Sequence, residues 1–240
     1  ERCPWDRAQT LESLRHLTIE ETYELSEALI AQNHDELKKE LGDLLLHIVF
    51  YCKIASESDL FDAAEVIESL CDKLIRRHPH VYGEMSLNSP EAVAQNWEKI
   101  KRNESPRSTM TGVPQSAPAL IKALRIQEKA AGIGFDWTHV EPVVEKIREE
   151  LNELQNASEN DREEEFGDLL FSLVNYARFL RINPDDALEK ANQKFLRRFA
   201  EMEKRGDLAQ MTPEEMDGLW ETIKREERTA NREQLHSSDS

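Results

Sequence analysis

Apolar residues return every three to four positions along most of the chain, and few stretches alternate with the period of two that strands require. "ELGDLLLHIVFY" at 40–51, with Cys52 just beyond, puts Leu44, Leu45, Ile48, Val49 and Cys52 on one stripe. "EFGDLLFSLV" at 165–174 does the same with Leu169, Leu170, Leu173 and Val174. The pattern predicts helices near 17–32, 35–57, 61–78 and 90–104, then near 116–131, 140–157, 160–181, 184–204 and 213–230. "NESPRSTMTGVPQSAP" at 103–118 lacks that period and is rich in Ser, Thr and Pro, which reads as a linker. The tail from about Asn231, ending "HSSDS", reads as disordered.

The two sets of helices are copies of one another. "IEETYEL" at 19–25 answers "REELNEL" at 148–154, and "ELGDLL" at 40–45 answers "EFGDLL" at 165–170. "KLIRR" at 73–77 answers "KFLRR" at 194–198, and "SPEAVAQNWEKIKRNE" at 89–104 answers "TPEEMDGLWETIKREE" at 212–227. Glu20 to Glu149 is a step of 129, Glu40 to Glu165 of 125, Lys73 to Lys194 of 121 and Trp97 to Trp220 of 123. That drift is what loops of unequal length produce, and four blocks in one order mark a duplication. In the last block Ser89 or Thr212 suits a helix cap, with Pro90 or Pro213 at the first position and Glu215 completing a capping box. The expected organisation is an all-α chain of tandem helical domains: a first repeat over 1–108, a linker over 109–118, a second repeat over 119–230 and a tail over 231–240.

Composition narrows the function. A formal net charge of −17 over 240 residues disfavours nucleic acid and anionic membranes as partners, since both are polyanions. No apolar run approaches the roughly 20 residues of a membrane span. Cys3, Cys52 and Cys71 form neither a disulfide framework nor a metal pair, and Cys52 and Cys71 fall in apolar helical patterns that suit buried thiols, so a cytoplasmic protein is expected. The chain begins at Glu1 rather than Met, which suggests a fragment or processed chain.

The acids concentrate the chemistry. Glu21 and Glu24 are three apart, as are Glu40 and Asp43, so each pair projects from one side of its helix. Glu150, Glu153, Glu165 and Asp168 repeat the set, with Glu149 beside them. Such a motif alone is an ordinary solvated helix face. Here, however, Glu40 and Asp43 lead straight into an apolar stripe, and both copies keep a glycine between the acids, Gly42 and Gly167, at about 1 kcal/mol relative to alanine. Close helix approach at the glycine is the expected reason. Four converging carboxylates repel unless protonated or bridged by a cation, and oxygen donors without His or Cys suit Mg²⁺, with Mn²⁺ as a substitute.

A cationic strip complements the acids. Lys73, Arg76 and Arg77, and their equivalents Lys194, Arg197 and Arg198, share a helix face, which suits either salt bridging or a phosphate clamp. Trp97 with Lys101, and Trp220 with Lys224, are four apart and share a face, either as core residues or as a platform for a base. His78 and His80 have no counterparts in the second half and read as local structure.

With these blocks, "CPWDRAQT" at 3–10 and "GIGFDW" at 132–137, the chain resembles the two-copy MazG family of nucleoside triphosphate pyrophosphohydrolases. The resemblance implies an all-α fold assembled as a homodimer with a four-helix-bundle-like core, and a stretch of helix ahead of Glu1. It implies Mg²⁺-dependent hydrolysis of nucleoside triphosphates to the monophosphate and pyrophosphate, credited to the second repeat. Glu150, Glu153, Glu165 and Asp168 would then be metal ligands, with Lys146, Lys194, Arg197, Arg198, Trp220 and Lys224 around the nucleotide. The matching first-repeat positions are Glu21, Glu24, Glu40 and Asp43 for metal and Lys73, Arg77, Trp97 and Lys101 for substrate. On that reading water attacks the α-phosphorus, Lys194, Arg198 and Lys224 stabilise the departing pyrophosphate, and Glu149 or Glu150 accepts the proton. Two rivals are weighed beside it. A di-iron bundle needs paired Glu-x-x-His ligands, and the only such spacing is Glu233 to His236. A non-catalytic helical adaptor or nucleotide-binding regulator would use the charged faces for docking alone.

Overall fold

A computed structural model describes residues 3–104 and 109–238, giving only the backbone at 91, 94, 95, 98, 102, 103 and 230–238. The protein is all-α, with no strand among the described residues. It divides into two compact units, Glu1–Pro106 and Arg107–Ser240. The first holds α1 (Pro4–Arg7), α2 (Ser13–Ile30), α3 (His34–Glu57), α4 (Ala63–Arg77), α5 (Pro79–Tyr82) and α6 (Pro90–Glu104). The second holds α7 (Ala119–Ala131), α8 (Glu141–Asn156), α9 (Arg162–Phe179), α10 (Pro184–Arg205) and α11 (Pro213–Ser238).

Local chemistry sets most boundaries. Asn33 caps α3 by accepting from the Glu36 backbone N–H at 3.2 Å, and Asp62 makes a reciprocal box with Glu65 at the start of α4. Ser89 accepts from the Ala92 N–H, and Thr212 and Glu215 exchange both bonds of a capping box. Pro118 occupies the N-cap of α7, so the helix begins at Ala119 rather than near 116. Gln32, Asp59 and Arg181 adopt left-handed backbone (φ 54°, 52° and 58°) where one helix turns into the next.

In the first unit α3 packs against α2 and α4; in the second α9 packs against α7, α8 and α10, and α11 lies on α10. Cross-helix bonds fix the layers: Thr18 and Tyr51 share a hydroxyl hydrogen bond of 2.7 Å, and the Gln127 side chain donates to the Phe171 carbonyl at 2.8 Å. In the "GIGFDW" segment Asp136 receives two bonds from Arg178, at 2.5 and 2.9 Å, which tie that loop to α9. Leu14 and Val143 are the largest fully buried side chains among the described residues.

Four expectations need correction. The apolar stripe of α3 is only partly covered: Leu45, Ile48 and Val49 are exposed, whereas Cys52 is buried together with Glu40, His47 and Ala55. In α9, likewise, Ser172, Val174 and Asn175 are buried while Leu170 and Leu173 are exposed. Cys71 is exposed: α4 packs on α3 and the short α5 and buries none of its residues. A methyl group built at Gly42 or Gly167 meets nothing within 4 Å, so no close approach within the described chain explains either glycine. Finally, α11 runs to Ser238 through the expected tail, since "NREQLHSS" carries no proline or glycine to stop it; residues 239 and 240 lie outside the described part.

Candidate metal and nucleotide site

Each unit brings three carboxylates together at a helix–helix contact. Glu21 and Glu24 from α2 meet Glu40 from α3, and Glu150 and Glu153 from α8 meet Glu165 from α9. In each trio one oxygen per residue lies within 4.8 Å of the others. The i, i+3 spacing supplies two acids from one helix, and the packing of the pair supplies the third.

The electrostatic cost is visible. Burial, then the charges of Glu153, Asp168, Glu150 and Glu164, raises the Glu165 carboxyl above its ordinary range. Burial, then Asp43, Glu24 and Glu40, does the same at Glu21. Asp43 and Asp168 stand outside the two trios and act on them as neighbouring charges. Glu40 is 2% exposed, and its Oε2 is buried with no hydrogen-bond partner. A buried carboxylate oxygen left bare is costly, and this one sits in an acidic trio, so the residues fit a hard divalent cation.

One lysine meets each buried acid, from different places in the two repeats. Lys146 on α8 reaches Glu149 and Glu150, at 2.7 Å each. Lys39 on α3 reaches Glu40 at 2.9 Å and Glu36 at 3.6 Å. Beside the first trio a cavity of about 370 Å³ is lined by Glu24, Glu27, Asn33, Glu36, Lys39 and Glu40. The sequence reading missed Lys39, Glu27 and Glu36. Glu36 lies where the first hairpin is longer than the second, and Lys39 and Glu27 stand opposite Glu164 and Asn156, so the repeat comparison gave no signal for them.

The basic strip forms a second cluster in each unit. Arg76 and Arg77 both bond Glu104 of α6, and Arg197 and Arg198 both bond Glu227 of α11. Lys73 and Lys194 are exposed, Lys101 is half-buried, and Lys224 bonds Glu221 at 2.6 Å. Trp220 packs on Phe195 at 5.1 Å between ring centres, with the Arg198 guanidinium 5.5 Å over its ring. Trp97 meets the edge of His78 at 5.0 Å, and His78 Nδ1 lies 2.7 Å from the Leu74 carbonyl oxygen, a local role. Glu104 and Glu227 were also missed. Their signal was available, because the two acids occupy equivalent positions seven residues after the tryptophans.

Comparison with known proteins adds a family match. The family model for the MazG nucleotide pyrophosphohydrolase domain matches residues 9–82. The chain is 48% identical to the nucleoside triphosphate pyrophosphohydrolase/pyrophosphatase MazG of Thermotoga maritima, over 93% of this chain and 90% of that one. It is 41% identical to the nucleoside triphosphate pyrophosphohydrolase of Escherichia coli K12, over 94% and 91%. It is also 41% identical to the uncharacterized protein YabN of Bacillus subtilis, over 94% of this chain and 49% of that protein.

Proposed function

The chain belongs to the MazG family of nucleotide pyrophosphohydrolases, and we propose that it hydrolyses nucleoside triphosphates to the monophosphate and pyrophosphate with a divalent cation, Mg²⁺ first. The observation that carries this reading is the pair of carboxylate trios, one per repeat, each with donor oxygens within 4.8 Å. Glu150, Glu153 and Glu165, with Asp168 alongside, would hold the cation in the second repeat; Glu21, Glu24 and Glu40, with Asp43, would hold one in the first. Such a cation supplies Lewis-acid polarisation of a phosphate oxygen and of a water.

The chain's own residues do the rest. A triphosphate carries about four negative charges, and a chain of net charge −17 needs local cations to receive it. Lys146 sits on the acids themselves, and Lys194, Arg197, Arg198 and Lys224 line α10 and α11, where α10 packs against α9. These groups would take the charge that builds on departing pyrophosphate. Trp220 would offer its ring to the base. Glu149, exposed beside the trio, or the buried Glu150 would accept the proton of the attacking water. The exposed Leu45, Ile48 and Val49 of α3, with Phe166, Leu170 and Leu173 of α9, form apolar faces that a second copy of the chain would cover, giving the homodimer. No helix among the described residues is long and apolar enough to cross a membrane, and the free cysteines favour a cytoplasmic setting.

Glu153→Ala and Glu24→Ala divide the labour. With Mg²⁺ and a panel of nucleotides, Glu153→Ala is expected to lower kcat by about a hundredfold or more, and Glu24→Ala by less than about threefold. Products are to be identified as monophosphate plus pyrophosphate. Equal losses from the two variants contradict a dominant second site, and diphosphate plus phosphate contradicts the reaction.

A further inference from the structure

Two consecutive arginines sharing one carboxylate recur in both repeats, but the grip differs. Glu104 Oε1 accepts from Arg76 Nε at 2.6 Å, and its Oε2 accepts from both Nε and Nη2 of Arg77, at 3.2 and 2.6 Å. Glu227 Oε1 accepts from Arg197 Nε at 3.1 Å, and its Oε2 accepts from Arg198 Nε at 2.7 Å. The first repeat thus draws a terminal amine of its second arginine into the clamp, whereas the bond to Glu227 engages Arg198 through the inner nitrogen.

Arg198 is held from a second side. Its side chain is 13% exposed, against 65% for Arg197, and its guanidinium lies over the Trp220 ring. A guanidinium bonded at Nε and lying over an indole ring is restrained in orientation, with its two Nη atoms at the end away from Nε. That end is the fork that receives two oxygens of one phosphate.

We propose that Glu227 is a positioning residue for the hydrolysis: by holding Arg198 at Nε it aims the two terminal amines at the phosphates of the nucleoside triphosphate. The proposal rests on the reading above, in which Arg198 meets the substrate. Arg77 gives Glu104 its Nε–H and one of the two N–H groups of Nη2, whereas Arg198 gives Glu227 only Nε–H and lies over the Trp220 ring as well. Arg197, exposed and sharing the carboxylate, braces Glu227 from the other side.

The alternative is a clamp that only ties α10 to α11, and steady-state kinetics on the full chain separate the two. Glu227→Ala is expected to lower kcat/KM for the triphosphate by about 10–100-fold, mostly through KM, with Mg²⁺-induced thermal stabilisation unchanged. Glu227→Gln, which keeps an accepting oxygen, should recover part of that loss. In an Arg198→Ala background Glu227→Ala should cost less than about twofold more, since its effect runs through Arg198. Glu104→Ala, which opens the equivalent clamp, reports how far helix tethering alone shifts Tm. Full kcat/KM in Glu227→Ala beside a defective Arg198→Ala overturns the proposal and spares the reading. An equal further loss in the Arg198→Ala background also overturns it. Unaltered kinetics in Arg198→Ala overturns both.

Discussion

Glu40 and Glu150 are withdrawn from solvent beside other acids, and each is met by one lysine, Lys39 at 2.9 Å or Lys146 at 2.7 Å. The lysines are not equivalents: the repeat offsets place Leu17 opposite Lys146 and Glu164 opposite Lys39. Each repeat has solved the same electrostatic problem with its own residue. Lys146→Met leaves Glu150 buried with no counter-ion, and its half-exposed setting limits the cost to about 1–3 kcal/mol. Added Mg²⁺ should return most of that loss, which thermal unfolding with and without the ion will read. Glu104 gives the pH dependence. Hydrogen bonds from Arg77 and then Arg76 hold its carboxyl down to about 2, from an ordinary 4.5. A depressed carboxylate stabilises the fold above its unfolded pKa and loses that contribution as pH falls from about 4.5 towards 2. Stability profiles between pH 7 and pH 3 should therefore show a shallower acid limb for Glu104→Gln than for the native chain.

Helix length separates the two hairpins. α2 continues six residues past Glu24 and α3 begins six before Glu40, whereas α8 and α9 extend three residues beyond Glu153 and before Glu165. At 1.5 Å per residue the first hairpin projects about 4.5 Å further beyond its carboxylates. That extra length carries Ala28 and Glu36, which line the cavity with Glu27. Glycine placement belongs to the same scale. Gly218 lies exposed inside α11, an added methyl group there meets nothing within 4 Å, and the first repeat has Gln95 at the equivalent position. Gly218→Ala is expected to raise stability by about 0.5–1 kcal/mol in urea unfolding, with activity unchanged. Gly42 and Gly167 meet equally open space but are glycine in both copies, beside the exposed apolar faces.

Those faces set the behaviour of the whole molecule. Leu45 is 61% exposed and Val49 57%, on the same helix that carries Glu40. Burying each such side chain against a second copy is worth about 1.5–3 kcal/mol. Leu45→Glu is therefore expected to weaken self-association by about tenfold or more, with helix content retained, as sedimentation and circular dichroism will measure. A mass that does not change with concentration, equal to one chain for the native protein, removes the homodimer. Across the molecule the carboxylate trios also predict that Mg²⁺ stabilises the native state, by about 2.7 kcal/mol at a hundred times its Kd. Glu40→Gln should lose the first repeat's share of that shift while raising stability without the ion.

The sequence by itself determined the all-α class, the positions of the long helices, their caps and the twofold pattern, because period, capping and proline are local properties of the chain. It also placed the acids in i, i+3 pairs on facing segments. Tertiary structure alone brought the acids together, since Glu40 and Glu165 join their trios only through the packing of two helices, with Asp43 and Asp168 as neighbouring charges. It likewise decided that the arginines are held by Glu104 and Glu227, contacts that span 27 to 30 residues of chain. How much of the α3 stripe is covered was decided in the same way. Hydrophobicity marks every face that leaves water, but it does not say which neighbour covers it.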